Sequence, residues 1–328
     1  MSSPKILSAK TPKNALSYFR FYLMANWQQF VLYAIICFLA LVLPTILRVT
    51  DAQRYGFYQD EGYEMAQAMS IVYTFVSCLL GIFSGMAANS YVNSKQATNC
   101  FHSIPMRRET LFVTEGAGRF FYYLISSSVM YSFSMFLMLI TYGAWKNAFT
   151  MIVSFWLIGI FSYLIVFALF QLASALTATA GFRFCMAGLI AFLPIALYLL
   201  LLGCINMGMD SLNIEYYIDS PSLRWICPAY LIVYVAMGLV NEEIHYPVLQ
   251  ILSLLVPSII YYAAAILIHR KRRSEMAANS VIWKKIKVIV KYVVVFTGGI
   301  CGALMMVTML VQPYLTAIRL KMLYSKMM

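Results

Sequence analysis

Charge in this chain is confined to the gaps between long uncharged stretches, and successive gaps alternate in sign. Residues 91–119 carry Lys95, Arg107, Arg108 and Arg119 against Glu109 and Glu115, and residues 269–291 carry eight Lys or Arg against Glu275 alone. The intervening gaps are acidic: 48–68 holds four carboxylates against two Arg, and 208–246 holds five against Arg224. Cytoplasmic loops of membrane proteins accumulate Lys and Arg, so the alternation predicts a multi-pass membrane protein with a cytoplasmic N-terminus. Only 11% of residues are charged, against about 25% in a soluble domain, too few to cover a water-facing surface. The net charge of +12 is accounted for by loops that would face an anionic inner leaflet. No basic arm is interleaved with base-stacking aromatics, which argues against nucleic acid as a partner.

A spanning helix needs about 20 apolar residues. Seven stretches meet this, at 28–47, 69–90, 120–142, 151–178, 184–207, 247–268 and 292–311, and predict an all-α fold. The fourth and fifth are nearly continuous, with Arg183 the only charge between Asn147 and Met209, so Gly181 and Arg183 mark an inner turn. Residues 225–241, containing Trp225, Pro228 and Tyr230, are apolar but short. If they spanned, the basic 269–291 segment would fall outside, so a re-entrant or interfacial helix on the outer side is expected. At residues 13–27, Leu16, Phe19, Leu23 and Trp27 recur at helical spacing opposite Lys13, Ser17, Arg20 and Gln28. This reads as an amphipathic helix in the inner interface, the alternative being a polar start to the first span. The division is then 1–27 as tail and interfacial helix, 28–268 as a six-span core, 269–291 as a basic cytoplasmic linker, and 292–328 as a seventh span and tail. Simple counting puts the last 17 residues outside, which suits their basic charge poorly. Gly81 with Gly85, and Gly298 with Gly302, have the spacing that lets helices approach closely.

The search for chemistry is mostly negative. All twelve carboxylates are expected in loops or tails, a distribution that disfavours a proton- or sodium-coupled carrier. No phosphate-binding Gly-x-x-x-x-Gly-Lys-Ser/Thr occurs, so this chain has no P-loop for ATP. His102, His245 and His269 lie in three different loops, which leaves no His-rich metal site. Glu242, Glu243 and His245 read as an acidic outer loop, without the partners of a metalloprotease. The seven cysteines form no Cys-x-x-Cys pair; Cys204 and Cys227 could meet near the outer face, although such pairs are mostly incidental. What remains is the basic segment 91–119. Ala97, Phe101 and Ile104 fall on one helical face, Pro105 ends that helix, and Arg107, Arg108 and Glu109 present charge before the third span. It reads either as a solvated basic loop or as a mechanical handle for a partner.

The run His102-Ser103-Ile104-Pro105-Met106-Arg107-Arg108-Glu109 resembles the coupling stretch after span two in permease subunits of bacterial ATP-binding-cassette (ABC) exporters of the type-2 membrane-domain class. The layout of residues 13–268 is similar too. Arg270-Lys271-Arg272-Arg273-Ser274-Glu275-Met276-Ala277-Ala278-Asn279 resembles the stretch after span six in a Gram-positive multidrug- or peptide-type branch, with Ala278 where Gly is usual. The resemblance implies a non-catalytic subunit in the bacterial cell membrane, exporting an amphipathic or hydrophobic drug, peptide or lipid. It implies a separate ATPase that holds ATP and Mg, docked through Ala97, Phe101, Ile104, Pro105, Arg107, Arg108 and Glu109, and a second permease chain. It also implies a linker built on Arg270, Lys271, Arg272, Arg273 and Glu275. Members of that branch are often longer, so a short or truncated member is expected. The rival expectation is a membrane sensor or immunity protein that binds an extracellular ligand through 208–246 without transport.

Overall fold

A computed structural model of the chain describes residues 15–55, 59–88, 108–143, 148–177, 179–208, 227–240 and 247–271, with scattered positions between 287 and 299. Among these the regular structure is entirely helical, and six helices are long and apolar enough to cross a membrane. The chain is therefore an all-α polytopic membrane protein. The proposed seventh span, 292–311, lies almost wholly outside the described residues.

Helix α1 (Ala15–Ala25) precedes the first span, which runs as α2 (Trp27–Cys37), a π-helical turn (Phe38–Val42) and α3 (Leu43–Tyr55). The others are α4 (Gln59–Ala87), α5 (Arg108–Tyr142), α6 (Ala148–Leu176), α7 (Ala180–Gly208) and, after a break at Leu254, α9 (Pro247–Ser253) with α10 (Leu255–Arg270). A short apolar helix, α8 (Pro228–Val240), lies between the fifth and sixth spans. One end of the bundle gathers the end of α4, the start of α5, the α6–α7 turn and the end of α10, and is called the loop end below.

The centre is α6, which packs against α4 and α10 and also touches α5, α7, α8 and α9. Small residues make the α4–α6 seam possible. A Cβ on Gly85 would run into the Phe170 side chain, and one on Gly81 would come within 3.1 Å of the Tyr163 carbonyl oxygen. Hydroxyls lace the same region. Ser70, Ser77 and Ser84 recur every seven residues along α4 and meet Tyr131 (3.3 Å), Tyr123 (2.8 Å) and Tyr33 (2.5 Å). Tyr123 stacks on Tyr163 at 3.7 Å and Tyr73 on Tyr131 at 4.3 Å. Interhelical hydrogen bonds in a bilayer are worth about 0.6 kcal/mol each, so this lattice fixes register more than it adds stability.

Two spans start earlier than expected. The helix of the second span begins at Gln59 and not near 69, and the third span begins at Arg108 and not near 120, so Glu109, Glu115 and Arg119 are helical residues. In α1 the face turned to the bundle is set by Tyr18 and Tyr22, both 6% exposed, whereas Leu16 stands out at 62%, as does Trp27, the first residue of α2, at 60%. The tyrosines win this face because Tyr22 lies against Gly118, where no side chain stands in its way.

Candidate coupling site

The last turn of any helix leaves carbonyls without an intrahelical donor, and they carry the negative end of the helix dipole. At the end of α4 these carbonyls are met by two arginines from other helices. Arg119 of α5 donates to the Ala87 carbonyl oxygen at 3.1 Å. Arg183, in the first turns of α7, donates to the oxygens of Met86 at 2.6 Å and Ala88 at 3.0 Å. Arg183 is fully buried and Arg119 is 5% exposed. Glu115 stands one turn before Arg119 and pairs with it at 3.1 Å, and its charge reaches Arg183 through space. Among the described residues, two guanidiniums thus face one carboxylate and the roughly half charge of a helix C-terminus.

Helix α1 covers this cluster. Burial, and then the charge of Glu115, push the Tyr18 phenol up to about 12. Burial also raises Tyr22, against the opposing pull of Arg119. Both phenols are therefore protonated at neutral pH. The Tyr122 hydroxyl donates to the Leu23 carbonyl oxygen and ties α1 to α5.

The segment that leaves α4 returns at Arg108. There Glu109 pairs with Arg270 Nε at 3.0 Å, joining the first turn of α5 to the last residue of α10. Beside this pair His269 is buried and faces the Phe112 ring at 4.7 Å.

Of the expected coupling residues, Ala97, Phe101, Ile104, Pro105 and Arg107 lie outside the described residues, while Arg108 and Glu109 open α5. Of the linker, Arg270 ends α10 and Lys271 follows it, whereas Arg272, Arg273 and Glu275 lie outside. Trp225 also lies outside; Pro228 and Tyr230 are in the first turn of α8, and Tyr230 stacks on Tyr234 at 6.3 Å. Next to them Cys227 is a free buried thiol whose Sγ donates to the Ala191 carbonyl oxygen at 3.1 Å. That contact lies eleven residues, roughly 16 Å, along α7 from its start. The site residues brought together are thus Glu109 and Arg270, and the α8 residues are not part of that cluster.

The sequence pattern assigns no site role to three of these residues: Glu115 and Arg119 read as loop charge, and Arg183 as the mark of a turn. The expectation that every carboxylate lies in a loop or tail is corrected by Asp51, Asp60, Glu61, Glu64, Glu109 and Glu115, all of them helical, and Glu115 is buried in α5. The available signal was spacing: Glu115 and Arg119 are four apart, the distance at which a helix pairs charges. Among the described residues no group of three or more His, Cys, Asp or Glu is placed to hold a metal ion.

The geometry defines a class, a polytopic helical membrane protein with a braced loop root at one end. No protein-family model matches the chain, and no curated protein matches it.

Proposed function

We propose that this chain is the permease subunit of an ATP-driven ABC exporter, moving an amphipathic or hydrophobic compound with a separate ATPase subunit and a second permease chain. The observation that carries the proposal is the bracing of the loop root. Segment 89–107 contains the stretch that resembles a coupling helix, and it leaves from carbonyls held by Arg119 and Arg183. It returns through Glu109, whose exposed and exchangeable pair with Arg270 meets the end of α10. These four residues lie on α5, α7 and α10. A push on such a segment would be delivered to several spans at once, as a partner-driven switch between two packings requires. By the charge rule this end faces the cytoplasm, where an ATPase would dock.

The test is transport in inverted vesicles containing the chain and its ATPase. Uptake of a hydrophobic or amphipathic compound is expected to require ATP and to survive a protonophore. Phe101→Ala and Arg108→Glu are expected to uncouple hydrolysis from uptake, the first by removing an apolar anchor of the kind often worth about 2 kcal/mol or more. Uptake that is lost with the protonophore and indifferent to ATP would transfer the assignment to an ion-coupled carrier. Ligand binding at 208–246 without any uptake would transfer it to a sensor.

A further inference from the structure

A groove of about 360 Å³ opens sideways between α5, α6 and α10. Its wall is apolar, formed among others by Val113, Phe120, Phe167, Ile259, Tyr262 and Ile266. Its one serine, Ser258, spends its hydroxyl on its own helix, donating to the oxygens of Leu254 and Leu255 at 3.0 and 2.9 Å. Along α10 the wall runs from Leu255 to Ile266, roughly 16 Å at the rise of an α-helix. The outer lip is open, with Ile259 64% exposed. The loop end of the groove has a different character. Val113 follows Glu109 by four residues, and Arg270 follows Ile266 by four, so on each helix the two share a face. The Glu109–Arg270 pair therefore lies one turn beyond the end of the groove. The Arg270 side chain is 68% exposed, and Lys271 beside it is also exposed. Among the described residues, Glu109 stands here against Arg270 and Lys271, which leaves net positive charge.

We propose that the groove binds one anionic phospholipid, with an acyl chain against α5, α6 and α10 and the phosphate at Arg270 and Lys271. Apolar length alone selects no headgroup. The selection comes from the two cations one turn beyond the hydrocarbon wall, at the depth where a phosphate follows an acyl chain. Arg270 engages Glu109 through Nε, and a guanidinium has a second edge suited to two phosphate oxygens. A zwitterionic lipid brings its own cation to the same place and gains less. By the charge rule this end meets the anionic leaflet. The inference needs only the membrane class and that orientation, and it stands or falls separately from transport.

The test is native mass spectrometry of the detergent-purified full chain with dioleoyl-phosphatidylglycerol or dioleoyl-phosphatidylcholine, each variant first shown to be monodisperse. Phosphatidylglycerol is expected to bind more tightly. Arg270→Gln and Lys271→Gln should each weaken it by about fivefold, leaving phosphatidylcholine unchanged. Ala263→Trp, at an exposed position on the groove wall, should weaken both lipids by filling the space. Equal binding of the two lipids, or indifference to the glutamine variants, overturns the headgroup assignment. Displacement of the lipid by inorganic phosphate alone would show a free-anion site instead. Indifference to Ala263→Trp overturns the groove, and a disulfide between two copies through Ile259→Cys would give the groove to a second copy of the chain.

Discussion

Two carboxylate–guanidinium pairs stand at the same end of this molecule and have nearly the same length. Glu115 and Arg119 meet at 3.1 Å with side chains 11% and 6% exposed; Glu109 and Arg270 meet at 3.0 Å with side chains 39% and 68% exposed. Distance does not rank them. The buried pair has left water, and either partner alone would be an uncompensated charge in a poor solvent. The exposed pair exchanges its partners for water at little cost. The first pair holds a helix end in place, and the second is available to exchange its partner, including for a lipid phosphate.

The largest effect is therefore expected at the buried cluster. Glu115→Ala strands Arg119, and Arg183→Ala removes the donor to Met86 and Ala88. Removing one partner of a buried charged group typically costs about 3–5 kcal/mol. Thermal unfolding in detergent, followed by size exclusion, should show a strongly lowered midpoint for both. A double-mutant cycle on Glu115 and Arg119 should give a coupling well above about 1 kcal/mol that persists at high salt. A coupling near zero would mean that the two residues bury independently, and the contrast between the pairs would be lost.

A smaller effect is expected in the hydroxyl lattice between the buried cluster and the far end. Tyr123→Phe removes the bonds to Ser77 and to the Gly159 carbonyl oxygen but keeps the stack on Tyr163. Each such bond is worth about 0.6 kcal/mol in a bilayer, so the loss should be about 1 kcal/mol. Tyr123→Ala removes the ring as well and should cost several times more, since Tyr123 is fully buried. Equal losses for the two variants would move the weight of this region from packing to hydrogen bonding.

The same contrast explains what could be read in advance. Four of the spans were legible from apolar length to within a few residues, because water exclusion is a property of composition; the second starts at Gln59, ten residues before the expected 69. The start of the third span was not legible either, because α5 continues past its apolar stretch on the strength of residues that satisfy one another. Glu115 pairs with Arg119, and Arg119 meets a carbonyl of another helix; hydropathy counts each as a cost and is blind to the partner. Arg183 was visible as a lone charge between two apolar stretches. Its partners are backbone oxygens 95 and 97 residues away, and no local pattern points to them. The serine repeat in α4 was in plain sight at 70, 77 and 84, but its meaning depends on tyrosines from two other spans. Of the expected coupling residues, Glu109 acquires a partner in Arg270 that charge counting had placed in a separate linker.

The smallest expected effect is at the exposed pair, and it is the sharpest check on the contrast. A double-mutant cycle on Glu109 and Arg270, using Glu109→Gln and Arg270→Gln, should return roughly 0–1 kcal/mol at low salt. Both side chains are long and largely in water, so the Coulomb gain is offset by the entropy of holding them together. Raising the salt to about 1 M shortens the screening length to about 3 Å, close to the length of the pair itself, and should abolish the coupling. The buried pair, measured in the same buffers, should change little. A salt-resistant coupling at Glu109 and Arg270 comparable to that at Glu115 and Arg119 would show that this end of α10 is closed to solvent when the full chain is assembled. The proposed lipid contact at Arg270 would then lose its access, and the loop root would have a second structural clamp in place of a labile one.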